Sequence, residues 1–234
     1  MNVETGDFVK ISYTGKFDED QIFDTTDEEI AKEYDIYNPR GMYGGDVIIV
    51  GAGHTIQGLD EELDGKDVGY SGEVVIPPEK AFGEHDPKKV ESYSLSKFKN
   101  KNAQPGMQVE IEGKRGIVTQ VIGRRARVDF NHPLAGKEVT YEYKIESKLE
   151  EPDEKIKGIL GLYTGIPEIE VEIDGNTARI VTPPEITFNQ RWLMSKARVA
   201  EEILEHTELG NIEYVERYSK EEKLDEAEDQ EDEQ

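Results

Sequence analysis

The charge of this chain reverses sign part-way along, and that reversal divides the chain before any motif is read. Residues 1–85 carry 20 acidic and 6 basic side chains, whereas residues 86–130 carry 5 acidic and 10 basic. Residues 131–150 are nearly neutral, residues 151–218 carry 14 acidic and 7 basic side chains, and residues 219–234 carry 9 and 2. A basic island inside an acidic chain points to an inserted module with a surface of its own; the alternative is chance clustering of surface lysines and arginines. A length of 234 residues with 35% apolar content suits several small cores better than one large one.

The same balance excludes whole classes of function. A net charge of −24 repels a phosphate backbone at long range, so nucleic-acid binding is not expected. The absence of cysteine removes disulfides, thiol nucleophiles and thiolate metal sites. His54, His85, His132 and His206 lack a partner at ligand spacing, so packing or surface roles are expected for them, and no metal or cofactor. Gly41-Met42-Tyr43-Gly44-Gly45 and Gly51-Ala52-Gly53 lack the strand–helix setting of a phosphate cradle and read as turns. Glu28-Glu29 and Glu61-Glu62 read as helix surface, leaving hydrolysis and phosphoryl transfer without support. The start, MNVETGDFVKIS, has neither a basic region nor an apolar run, and nowhere do about 18 apolar residues follow one another. A soluble, cytoplasmic protein with no membrane partner is expected.

Hydropathy patterning sorts the segments further. Asp7 to Gly15 alternates like a half-buried strand, Val47–Val50 and Glu73–Ile76 read as short strands, and Ile56 to Leu63 fits one helix. Between 107 and 130 three strand-like runs are separated by turns at Gly113-Lys114-Arg115 and Gly123-Arg124. Val139 to Ile145 alternates again, as a further strand of the first sheet. Past Pro152, a helix from Asp153 (as N-cap) to Tyr163, a hairpin around Asp174-Gly175-Asn176, a long helix from Asn189 to Glu208 and a strand from Ile212 to Tyr218 make an αββαβ unit. Residues 219–234 have almost no apolar content and form an acidic tail. The fold class expected is α+β. An antiparallel sheet wraps a short helix in 1–85 plus 131–150, a small all-β domain is inserted at 86–130, and an α/β domain follows at 151–218.

With hydrolytic chemistry unsupported, what stands out in the first module is a set of aromatic and aliphatic residues beside one acid: Tyr13, Phe23-Asp24, Val50, Ile56, Phe82 and Tyr141. The stretches around them, Ile11-Ser12-Tyr13-Thr14-Gly15, Ile22-Phe23-Asp24-Thr25-Thr26, Val50 to Glu61 and Ile76 to Gly83, resemble the FK506-binding-protein family of peptidyl-prolyl cis-trans isomerases in the same order. Asn131-His132-Pro133-Leu134-Ala135-Gly136-Lys137 is similar to the SlyD-like branch, whose members carry an insert-in-flap domain before that segment. The resemblance covers about residues 1–150, and with the C-terminal unit the chain looks like the long, archaeal type.

The resemblance implies a prolyl isomerase, and the physics of that reaction needs no triad. Rotation about an X–Pro bond faces a barrier of ~18–20 kcal/mol because amide resonance is lost in the twisted state. An apolar slot that strips water from the carbonyl oxygen and fits the twisted geometry lowers it. By resemblance, Tyr13, Phe23, Ile56, Phe82 and Tyr141 line the proline pocket with Val50, Thr55 and Leu59 close by, and the Ile56 N–H meets the peptide. Asp24 sits at the rim, either orienting Tyr13 or polarising the amide. The chain departs from the family pattern where Phe82 replaces a common tyrosine, where the insert replaces the flap, and where Asp46 stands near a usual aromatic.

In the insert, Tyr93, Leu95, Phe98, Met107, Val109, Ile111, Ala126, Val128 and Phe130 exceed what a domain of about 45 residues hides, so a client-binding apolar surface is expected; the alternative is a self-packed subdomain. In the C-terminal unit Trp192, Leu193, Met194, Ile203 and Leu204 either pack on its own strands or form a homodimer contact, the latter being favoured. Two functions are therefore carried forward. One is an isomerase with an attached chaperone domain acting on unfolded, proline-containing chains; the other is a non-enzymatic acidic chaperone or assembly factor for basic or unfolded partners.

Overall fold

The computed structural model describes residues 1–18, 21–39, 41–99, 102–166 and 168–218. The acidic tail expected at 219–234 lies outside the described residues. The chain divides into two compact units, 1–150 and 151–234, and is α+β throughout.

In the first unit, strand β1 (Phe8–Asp18) organises the sheet. Its first half pairs antiparallel with β3 (Asp46–Ile49) and its second half with β2 (Gln21–Thr25), so both lie along one edge of it. Along the other edge runs β9 (Val139–Lys148), followed by β4 (Ser71–Ile76). Alternation turns Val9 and Ile11 of β1 and Val139, Tyr141, Tyr143 and Ile145 of β9 inward, and Phe8, ahead of the register shift at Lys10–Ile11, is buried as well. Helix α1 (Glu28–Glu33) is capped by Asp27, whose carboxylate accepts from the Glu29 and Ile30 amides, and Glu28 and Glu29 are exposed. Helix α2 (Gln57–Leu63) contributes Leu59 and Leu63 to the core, with Ile56 as its N-cap instead of its first turn.

The insert is a four-stranded antiparallel sheet of β5 (Val90–Ser94), β6 (Gln108–Ile111), β7 (Lys114–Ile122) and β8 (Arg125–Asp129), in the order β5-β8-β7-β6. Strand β5 escaped the sequence reading because Val90-Glu91-Ser92-Tyr93-Ser94 is mostly polar. The first turn is Glu112-Gly113, both at positive φ as a two-residue hairpin of the favoured twist requires. Lys114 and Arg115, expected in that turn, belong to β7.

In the second unit, α3 (Pro152–Thr164) has Glu151, not Asp153, as its N-cap. Pro152, with φ already fixed and no N–H to satisfy, starts it, and Asp153 falls in the first turn. The hairpin of β10 (Glu170–Asp174) and β11 (Thr177–Val181) turns on two residues, with Asp174 paired to Thr177. A short helix absent from the sequence reading, α4 (Pro184–Thr187), precedes α5 (Gln190–His206), which Asn189 caps. Strand β12 (Asn211–Val215) stops before the expected Tyr218 and runs parallel to β11. Trp192 and Ile203 face the core, Trp192 edge-on to Tyr214, while Leu193 and Met194 are exposed.

Candidate active site

The aromatic cluster of the first unit gathers around a residue with no side chain. A Cβ on Gly15 would lie 2.8 Å from Phe23 Cζ and 2.9 Å from Tyr141 Cζ, so this position in β1 must be empty for the two rings to approach. Phe23 meets Tyr141 edge-on at 5.7 Å between centroids, and Phe82 edge-on at 5.5 Å. Tyr13 tilts against Tyr141 at 5.6 Å. Four of the aromatic residues named from the sequence therefore form one continuous surface, supplied by β1, β2, β9 and the segment after β4.

Local bonding fixes each contributor. The Tyr13 N–H donates to Thr26 Oγ1 at 2.9 Å and the Thr26 N–H returns to the Tyr13 carbonyl, holding the end of β2, and with it Phe23 and Asp24, against β1. The loop bearing Val50 is tied to α2 by Asp60, a buried carboxylate that accepts from the Gly51 and Gly53 amides at 2.8 and 3.1 Å. His54 Nδ1 accepts from the Ile49 amide at 3.1 Å. His54 thus fits the packing alternative expected of it, whereas the bonding of Asp60, inside the expected helix, depends on a turn geometry that spacing alone does not reveal.

Not every named residue reaches this surface. Val50 and Leu59 are core residues at 1% and 0% exposure; Tyr141, at 3%, is buried as well and joins the cluster through its ring contacts. Ile56 and Thr55 are half-buried at the start of α2. Two further residues join the cluster: Phe17, unmarked by any motif, 6.3 Å from Phe23 with Lys137 Nζ 3.8 Å above its ring, and His132, stacked on Phe82 in keeping with the packing or surface role expected of it.

The electrostatics centre on Tyr13. Its hydroxyl donates to Asp46 Oδ2 at 2.9 Å, and its pKa is pushed well up by burial and by the charges of Asp46 and Asp24. Asp24 is exposed to solvent on one side, yet crowding by protein and the nearby charge of Asp46 raise its carboxyl above the usual range, against bonds from the Thr25 backbone and the Tyr13 hydroxyl. Burial likewise raises Asp46, opposed by the Tyr13 bond. Tyr141 is raised by burial and then by Asp24. Among the described residues no cluster of histidine and acidic groups has the geometry to hold a metal ion.

In the insert, Phe98 and Val128, named as client contacts, are instead core residues at 6% and 0% exposure. They pack with Ala103, Ile111, Val118 and Ala126, and Tyr93, Leu95, Val109 and Phe130 lie partly buried against them. Closing a four-stranded sheet on one face consumes these side chains. Met107, just ahead of β6, remains outward at 40% exposure, joined by Ile122 at 64%.

Comparison with known proteins covers all three segments. A family model described as FKBP-type peptidyl-prolyl cis-trans isomerase matches residues 1–101, one for the FKBP26 IF domain matches 95–134, and one for the FKBP26 C-terminal region matches 152–219. The short-type peptidyl-prolyl cis-trans isomerase of Methanocaldococcus jannaschii is 35% identical over 145 residues, 61% of this chain and 92% of that protein. The SlyD isomerase of Aeromonas hydrophila is 30% identical over 152 residues, 63% of this chain and 64% of its own length. That of Treponema pallidum is 29% identical over 165 residues, 68% and 86%.

Proposed function

Because the chain belongs to the FKBP-type peptidyl-prolyl cis-trans isomerases, we propose that X–Pro bonds are turned on the surface formed by Tyr13, Phe23, Phe82 and Tyr141, with Ile56 at its edge and Asp24 at its rim. The observation that carries this reading is the joining of four aromatic rings, two of which meet over Gly15, into one continuous apolar surface. A prolyl peptide seated there exchanges water around its imide for carbon, which disfavours the charge-separated planar amide relative to the twisted one. No proton has to move, so the catalyst needs no nucleophile or base. The family membership supports this isomerase function over a purely non-enzymatic chaperone.

The insert serves as the client-capturing arm. Its outward Met107 and Ile122, on a basic module, suit loose binding of extended polypeptide, and tethering a client beside the site raises its effective concentration there. The second unit serves as a homodimer contact: Phe188 and Met194 are 88% and 79% exposed in a domain whose core is already filled by Trp192, Val199 and Ile203. Two linked copies hold one client multivalently. No helix among the described residues is long and apolar enough to cross a membrane, and a cytoplasmic setting with nascent or unfolded clients, basic ones included, fits the acidic surface.

The test is turnover of a proline-limited refolding protein and of a short Pro-containing peptide, by the full chain and by a variant lacking 86–130. The deletion should cripple protein refolding while sparing peptide turnover. Equal losses would assign the insert a structural role. Unchanged peptide turnover after Tyr13→Ala, Asp24→Ala and Phe82→Ala together would remove the catalytic assignment.

A further inference from the structure

A tyrosine hydroxyl has one proton and gives it to one acceptor at a time. Two carboxylates compete for the proton of Tyr13. Asp24 lies one residue beyond Phe23 on β2. Asp46 opens β3, paired opposite Ile11, and so shares with Tyr13, two residues along β1, the same face of the sheet. The hydroxyl donates to Asp46, at 2.9 Å. We propose that Asp46 is a positioning residue of the isomerase: it holds the Tyr13 ring by its hydroxyl against Tyr141, and by taking that proton it leaves the Asp24 carboxylate to face the peptide. This deepens the reading of the aromatic surface as the catalytic site and rests on it.

Three observations converge on this assignment. Tyr13 supplies one wall of the surface, and its hydroxyl donates to Asp46. Asp24 is exposed to solvent, whereas Asp46 is half-buried. Among the described residues neither carboxylate enters an ion pair, so the groups that face the pair are the phenols of Tyr13 from β1 and Tyr141 from β9 and, for each acid, the other. The two acids thereby have separate duties, one toward the protein and one toward the client. The departure at position 46 noted in the sequence becomes part of the machinery.

The experiment measures peptide isomerisation by NMR exchange, from acid to neutral pH, for the wild type, Asp46→Leu and Asp46→Asn. Loss of one hydrogen bond that orients a catalytic wall corresponds to about a tenfold fall in kcat/KM, expected for Asp46→Leu. Asp46→Asn, whose amide oxygen still accepts from Tyr13, should recover most of that loss. It also removes the like charge beside Asp24, so the acid limb of its pH profile should move to lower pH than in the wild type. Wild-type kcat/KM in Asp46→Leu, no recovery in a folded Asp46→Asn, or an unmoved acid limb would each overturn the assignment. If the wild type itself fails to accelerate the peptide, the underlying catalytic reading falls, and this inference with it.

Discussion

Phe82 and His132 lie face to face, their ring centroids 4.5 Å apart and their planes within 3° of parallel. His132 Nδ1 accepts from the Leu134 amide at 3.2 Å, which in the neutral ring puts the proton on Nε2. The imidazole thus backs the ring that replaces the family's usual tyrosine, and Phe23 closes its other side edge-on. His132→Ala should lower stability by about 1 kcal/mol in urea unfolding, the worth of one aromatic pair, and reduce peptide kcat/KM several-fold. His132→Phe should preserve both. Full activity in the alanine variant would make the stack incidental.

Gly15 offers a sharper separation of fold and activity. A methyl there drives into Phe23 and Tyr141; half-buried Phe23 can swing aside, whereas Tyr141, at 3% exposure, is held in place. Gly15→Ala is expected to remain folded by circular dichroism while losing about tenfold or more in peptide isomerisation. Retained activity would mean that the two rings need not touch.

The two chains that leave and re-enter the first domain are tied by Asn131. Its Oδ1 accepts from the Asp86 amide at 3.0 Å, while its Nδ2 donates to the Asp86 carbonyl at 2.9 Å and to Asp129 Oδ1 at 2.8 Å. Asn131→Ala should accelerate amide exchange across 86–130 and impair protein refolding more than peptide turnover. Exchange rates equal to those of the wild type would show that the tie carries no constraint.

Asp129, at the same joint, gives a pH signature. Burial raises its carboxyl, but bonds from His85 and Asn131 outweigh burial and hold it below the usual aspartate range. A depressed native pKa adds stability that is complete above the unfolded value and is lost as pH falls through the native one. Acid titration of the insert's amide exchange should therefore show loosening below the ordinary aspartate range. Asp129→Asn should abolish that pH-dependent step; its persistence would place the titrating group elsewhere.

In the second unit Glu202 is buried and bonds both Tyr163 Oη, at 3.0 Å, and Arg198 Nε, at 2.7 Å, fastening α5 to α3. Burial first, then Glu202, pushes the Tyr163 phenol up to about 12. Glu202→Ala removes that acceptor from the partly buried phenol and from the exposed guanidinium, and should cost about 1–3 kcal/mol. Trp192 is the chain's single tryptophan, so its fluorescence on heating reports on this unit directly. An unshifted transition would mean that solvent replaces Glu202 without loss.

The α+β class and the clustering of Tyr13, Phe23, Phe82 and Tyr141 were legible because they rest on local alternation and on motif order. Asp46, Asp60 and Asn131 were not, since each acts on a backbone or hydroxyl brought close by strand register or a turn, and a polar residue's partner across a sheet leaves no trace in its own neighbourhood. Phe98 and Val128 were misplaced for the converse reason. Composition says that a small module has surplus apolar side chains, but only the closed sheet decides which are spent on its core. The Asp153 cap failed because Pro152 already fixed where α3 begins.

The order in which the strands meet has a consequence for synthesis. Every pairing within the insert joins neighbours between Val90 and Asp129, whereas the central pairing of the first sheet, β1 with β9, joins residues such as Tyr13 and Tyr143. Short loops close before long ones, so the insert completes its sheet while β9 is still being made. Tyr141 arrives last. On the reading proposed above, the arm that holds a client then exists on the ribosome before the surface that turns its prolines.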